Sequence, residues 1–211
     1  MYAKKNSGKK VVLALLALVL LISGAVGGTI AWLKDSTDTV TNTFTVGDIN
    51  IDLTENGTSA KDSPVTNNNF KIIPGGEQEK DPTVTVKANS EACWLFVKIT
   101  ESNNYNGTIP YVTWSVDSAW TQLSQTDEVG VKTYVYYIDQ AATTADVPHA
   151  VLNDSKVTYA DTLTKADLNA LDGEKPSLEF AAYAVQKANG NNTFTVDQAW
   201  DIAQDGTLTN P

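Results

Sequence analysis

Two patterns of apolar residues divide the chain. From Val11 to Ile22 the apolar residues run without interruption, behind a basic start carrying Lys4, Lys5, Lys9 and Lys10. After residue 40 they alternate with polar residues instead, and Gly, Asn, Asp or Pro interrupts them at short intervals. An unbroken run marks a segment that leaves water entirely, whereas a period of two marks half-buried β-strand.

The first pattern predicts an export signal over residues 1–31. Such a signal has a basic n-region, a short apolar h-region and small residues at the cut. Here the small, flexible stretch is Ser23–Thr29, followed by Ile30-Ala31-Trp32. Thr29 and Ala31 place small side chains at the third and first positions before a cut after Ala31. Thr29, Ala31 and Trp32 are therefore the expected signal-peptidase recognition residues. The competing reading is a retained membrane helix, because the uncharged stretch Val11–Leu33 has twenty-three residues, enough to cross a bilayer. Its second half, Ser23-Gly24-Ala25-Val26-Gly27-Gly28-Thr29, is poor in bulky apolar side chains and in helix propensity. That favours the removable signal.

The second pattern predicts strands. Phe44-Thr45-Val46 and Ile49-Asn50-Ile51-Asp52-Leu53 alternate cleanly but out of phase, so a bulge or bend is expected at Gly47-Asp48. Residues 55–69 read as a polar loop, and Ile73-Pro74-Gly75-Gly76 as a turn. Further strands are expected over 83–87, 93–100, 111–116, 132–138 and 178–186. A short hairpin is expected to join 151–152 to 157–159 around Asn153-Asp154. Thr164-Lys165-Ala166-Asp167 has the spacing of a capping box opening a short helix, with Leu168 and Leu171 on one face and Gly173 to stop it. A second short helix is expected from Thr195 through Ala203. Many short strands with turns between them predict an all-β sandwich or barrel, organised as a single domain over 32–211.

Composition narrows the partners. All acidic residues follow Leu33, so the chain after Ala31 carries eleven lysines against twenty-five acids, a net −14, and there is no arginine anywhere. A surface of that sign repels phosphate backbones, and no nucleic-acid partner is expected. Contact with the membrane is expected only transiently, through the signal. Cys93 is the single cysteine, so no internal disulfide can form. It shares an alternating face with Leu95, Val97 and Ile99 and is expected to be a small buried hydrophobe.

Enzyme chemistry finds little support. A zinc protease helix needs two histidines one turn apart, and the only histidine is His149, after Pro148 in a loop-like stretch. There is no Gly-x-Ser-x-Gly elbow to pair with it, and Cys93 is embedded in a strand. Asp197, Asp201 and Asp205 recur every fourth residue, which reads as a solvated helix face. Trp94, Trp114, Trp120, Trp200 and the Tyr134-Val135-Tyr136-Tyr137 strand read first as core, with a sugar-stacking surface as the alternative. No catalytic residue, metal ligand or cofactor is expected.

The stretches Gly28-Thr29-Ile30-Ala31-Trp32-Leu33-Lys34-Asp35 and Asn42-Thr43-Phe44-Thr45-Val46-Gly47-Asp48-Ile49 resemble the TasA/camelysin family of Gram-positive bacteria, whose members carry a SipW-type signal peptide. Trp32-Leu33 replaces the more usual Tyr-Phe pair. Downstream, Ile73-Pro74-Gly75-Gly76, Lys80–Val86, Cys93–Ile99, Phe180–Gln186 and Gln198-Ala199-Trp200 resemble successive strands and the tail of the same family. The resemblance implies a jelly-roll-like β-sandwich that is secreted to the extracellular matrix or cell surface and serves as a subunit of biofilm-matrix fibres. It implies processing by a SipW-type signal peptidase and assembly with itself or a similar subunit. In that assembly an N-terminal arm, residues 32–48, leaves its own domain and adds a strand to the next. Val40, Phe44, Val46 and Ile49 are the expected anchors of that arm. The family also implies an alternative, a camelysin-type cell-surface metallopeptidase. A monomeric carbohydrate-binding surface module is a third expectation, drawn from the aromatic residues.

Overall fold

The alternation in the Cys93–Ser102 strand organises the molecule. Leu95, Val97 and Ile99 point to one side and are fully buried, while Trp94 and Phe96 point to the other. A strand apolar on both faces needs cover on both. The computed structural model describes residues 48–60, 71–107, 109–171, 175–190 and 192–205, and every structural statement below concerns these.

In chain order the strands are β1 (Ile51–Glu55), β2 (Thr58–Ser59), β3 (Glu77–Glu79), β4 (Thr83–Val86), β5 (Cys93–Ser102), β6 (Tyr105–Asn106), β7 (Ile109–Pro110), β8 (Val112–Thr113), β9 (Thr121–Glu128) and β10 (Val131–Gln140). They continue with β11 (Val147–Ala150), β12 (Lys156–Tyr159), β13 (Ser177–Gln186), β14 (Ala188–Asn189) and β15 (Asn192–Thr193). Two α-helices, α1 (Lys165–Asn169) and α2 (Val196–Asp205), interrupt them. The described chain is thus mostly β, with short helices in the connections.

One four-stranded sheet has the order β11-β4-β1-β2 and a second has the order β13-β5-β10-β9. A small third sheet runs β3-β12-β8, and β6-β7 and β14-β15 form two-stranded ribbons. All recorded pairings between these strands are antiparallel. Val84 and Val86 of β4 share a core with Leu95, Val97 and Ile99 of β5, joined by Trp120 and Val151. Ile51 and Leu53 of β1 and Leu178, Phe180, Ala182 and Ala184 of β13 pack against the same cluster.

The opposite face of β5 is covered by α2. Thr195 and Gln198 cap its start reciprocally, with Gln198 N–H donating to Thr195 Oγ1 and Thr195 N–H donating to Gln198 Oε1. That pairing satisfies two amides that have no partner inside the helix. The helix then lays Ala199 and Trp200 on Phe96, with Trp200 and Phe96 ring centroids 5.2 Å apart and Trp200 edge-on to Tyr183 at 5.5 Å. The capping box expected at Thr164 and Asp167 is also present at the start of α1.

Several expectations need correction. Residues 55–59 are not loop: Asn56-Gly57, both at positive φ, turn β1 into β2, which is the two-residue hairpin that Asn-Gly favours. The hairpin expected between 151–152 and 157–159 does not form. Asp154 and Ser155 adopt positive φ, Leu152 bridges to Val116, and β12 pairs with β3 and β8 instead. Over 111–116 only Val112–Thr113 is strand, with Val116 in an isolated bridge. His149 lies on strand β11, paired with Val84, not in a loop. Strand β9 had no signal of its own: only Leu123 is bulky and apolar, and the strand forms because the turn at Val129-Gly130 folds it onto β10. Phe44–Val46 and the phase change at Gly47 lie outside the described residues.

Candidate functional site

The four outer strands of the two large sheets differ in how well their free edges are protected. An unpaired edge presents a row of amide and carbonyl groups to any passing strand, and natural proteins blunt such edges with proline, charge, bulges or brevity. In the first sheet β11 carries Pro148 and β2 has two residues. In the second, β9 reads Thr-Gln-Leu-Ser-Gln-Thr-Asp-Glu and its register against β10 shifts between Val135 and Tyr136, leaving Leu123 as an extra, bulged residue.

β13 has none of these devices. It runs ten residues, Ser-Leu-Glu-Phe-Ala-Ala-Tyr-Ala-Val-Gln, with Glu179 as its single charge and no internal proline. Its whole length pairs with β5, from Ser177 opposite Ser102 to Gln186 opposite Cys93. Among the described residues β5 is its only hydrogen-bonded strand partner, and β1 also lies close to it. Leu178 and Phe180 hold one face on the inter-sheet core, and Tyr183 and Val185 hold the other beneath α2. The strand is therefore held on both faces.

A second feature lies at the Ser102 end of β5. A cavity of about 640 Å³ is lined by Glu101, Asn104, Tyr105, Tyr111, Glu128 and Lys132, among others. Glu101 is 4 % exposed. Its Oε2 accepts a 2.7 Å hydrogen bond from the Trp114 indole N–H, and its buried Oε1 has no hydrogen-bond partner. Trp114 is itself fixed edge-on against Tyr134, 5.1 Å between centroids. Burial, then the Glu101 charge, pushes the Tyr134 hydroxyl up to about 12. Asn104 donates to the Val112 carbonyl at 2.7 Å and accepts from the Val112 amide at 2.8 Å, which closes the loop over the cavity. Lys132, opposite Glu101 in the β5–β10 register, holds its ammonium 3.9 Å from the centroid of the Tyr105 ring.

The residues singled out by sequence fall into three groups. Thr29, Ala31, Trp32, Val40, Phe44 and Val46 lie outside the described residues. Ile49 is half-buried and precedes β1, which begins at Ile51, two residues after the strand start expected at Ile49. The chemical candidates have structural partners. His149 Nε2 lies 2.8 Å from Gln140 Oε1, and the ring packs edge-on to Trp120 at 6.2 Å. Burial holds its pKa below the usual value. Cys93 is fully buried, and burial pushes its thiol up to about 11, far from a reactive thiolate. Trp94 donates to the Phe194 carbonyl at 3.1 Å, and Trp120 to the Ala150 carbonyl at 2.8 Å, so these indoles tie chain segments to the core. Among the described residues no group of three or more His, Cys, Asp or Glu side chains is placed to hold a metal ion.

Glu101 escaped sequence reasoning. Its signal was visible, as an acid on the same alternating face as Cys93, Leu95, Val97 and Ile99, where a hydrophobe would be expected. No protein-family model, curated protein or solved structure matches this chain.

Proposed function

We propose that this chain is a non-enzymatic structural subunit of cell-surface or biofilm-matrix fibres, exported through its signal peptide. It belongs on this reading to the TasA/camelysin type, with its two large sheets forming a jelly-roll-like sandwich. Cleavage after Ala31 by a SipW-type signal peptidase frees the arm 32–48. The arm then adds to the β13 edge of a neighbouring copy or a similar subunit.

The observation that carries this reading is the asymmetry of the edges. Three outer strands are blunted by proline, brevity, or a bulge with polar sequence, while the ten-residue β13 is not. An arm rich in Thr and Val, with Phe44 and Val46 two residues apart, matches strand addition, in which main-chain bonds supply affinity and alternate side chains fill pockets.

Electron microscopy tests the proposal. Protein beginning at Trp32 is expected to form filaments, and protein beginning at Ile49 to remain dispersed. Equal filament yield from the two would sink the donor-strand mechanism.

A further inference from the structure

We propose that β11 is a latched edge strand that opens locally when His149 takes up a proton, baring the edge of β4 at mildly acidic pH. The chain leaves one large sheet at Gln140, the last residue of β10, and enters the other at Val147, the first residue of β11. His149 reaches back across this crossing, with its Nε2 2.8 Å from Gln140 Oε1. The Gln140 amide is fixed by its other end, because its Nε2 donates to the Ala141 carbonyl at 2.8 Å. Oε1 must then accept, so the neutral ring carries its proton on Nε2. A second proton goes to Nδ1 and puts charge on a half-buried ring that lies edge-on to Trp120.

Few other bonds hold the strand. Val151 N–H donates to the Pro82 carbonyl at 2.9 Å, and in an antiparallel pair the donors toward one neighbour recur at every second residue. Val147 and His149 are thus the β11 amides directed at β4, opposite Val86 and Val84, while Pro148 has no amide to give. Pro148 and Ala150 are exposed and Val147 is half-buried, so opening uncovers little apolar surface. The Trp120 indole, which packs on the ring, also donates to the Ala150 carbonyl at 2.8 Å. Both ends are pinned. Asp146 accepts from the Ala88 amide at 2.9 Å and from Lys87 at 3.1 Å, and Val151 and Leu152 are buried. Opening is therefore confined to residues 147–150, a local event of low cost.

The surroundings of the ring favour its neutral form. β4 places Val84 opposite it and β10 supplies Gln140, neither of them titratable. Asp117, whose N–H donates to the Val151 carbonyl at 3.0 Å, pulls toward protonation, but burial outweighs it and holds the pKa below the ordinary 6.5. Lys87 and Asp146 pair with each other, and Asp139, beside Gln140, pairs with Lys187. In the open strand the ring is solvated and regains its ordinary pKa, so protonation favours the open form. The opening constant rises as pH falls through 6.5, by up to about tenfold between pH 7.5 and 5.5.

Amide exchange of the purified protein, followed by NMR, tests the latch. At pH 7.5 Val147 and His149 are expected to be less protected than Val97 and Ile99 of β5, and nearly indifferent to low urea, the mark of local opening. At pH 5.5 their protection factors are expected to fall by up to about tenfold, and by less than about twofold in His149→Gln. The ring resonances of His149 should titrate with a midpoint below 6.5. Four results would each overturn the proposal: a midpoint at 6.5 or above, no fall in wild type, an equal fall in His149→Gln, or β11 amides that share the protection and urea dependence of Val97 and Ile99.

Discussion

Single residues in this protein are held by one or two specific bonds, and their chemistry follows from those bonds. His149 is the clearest case. Burial disfavours its charged form and outweighs the opposing pull of Asp117. Its folded pKa is therefore below the usual 6.5, and its contribution to stability is full above that pH. As pH falls through 6.5, the unfolded chain takes up a proton that the folded one resists, and stability declines. Urea unfolding at pH 7.5 and 5.5 should show wild type losing more stability than His149→Gln. A parallel decline in the two proteins would rule out His149 as the titrating group. The fully buried state of Cys93, and the burial of Leu95, Val97 and Ile99 along its face, agree with the alternation read from sequence. Glu101 breaks the same alternation, and the break coincides with a cavity. A polar residue in an apolar register is worth following even without a motif.

At the scale of elements, the proposed acceptor edge of β13 can be tested separately from folding. Ala181 lies on this strand opposite Lys98 of β5. Ala181→Glu would face that lysine within its own sheet, an opposite-charge cross-strand pair worth roughly 0.2–1 kcal/mol. The same carboxylate would place charge on the edge proposed to receive an incoming strand, next to an arm that carries Asp35 and Asp38. The expected outcome is a melting temperature near wild type and a loss of filaments under the microscope. Filaments of normal yield would move the acceptor edge elsewhere. Helices were legible because their signals are local. The capping box read at Thr164 and Asp167 forms, and the helix expected from Thr195 forms with a Thr195–Gln198 cap that the structure adds. Strands β9 and β11 were not, because their own residues lack a strand pattern and neighbours impose it.

For the whole molecule, charge sets the terms of association. The full chain carries a formal net charge of −10, and residues 32–211 by themselves carry −14. Copies repel one another at long range, and salt shortens that range from about 30 Å at 0.01 M to about 8 Å at 0.15 M. Light scattering should therefore show the lag before filament growth shortening as sodium chloride rises across that interval. A lag that lengthens would mean that attraction between opposite charges drives assembly.

What the sequence determined by itself was local: the export signal as an expectation, the β character of the chain, the apolar face of β5, the cap of α1, the existence of α2 and the burial of Cys93. Each depends on residues a few positions apart, where side-chain alternation or a cap acts without reference to the rest of the chain. Tertiary structure decided the order β13-β5-β10-β9, the strand states of β9 and β11, which outer strand is left without a partner on one side among the described residues, and the meeting of Glu101 with Trp114 at a cavity. Backbone hydrogen bonds between strands are nearly the same for any pair of residues. The pattern along a strand therefore reveals which face it buries, while its neighbours are chosen by how all the buried faces fit together.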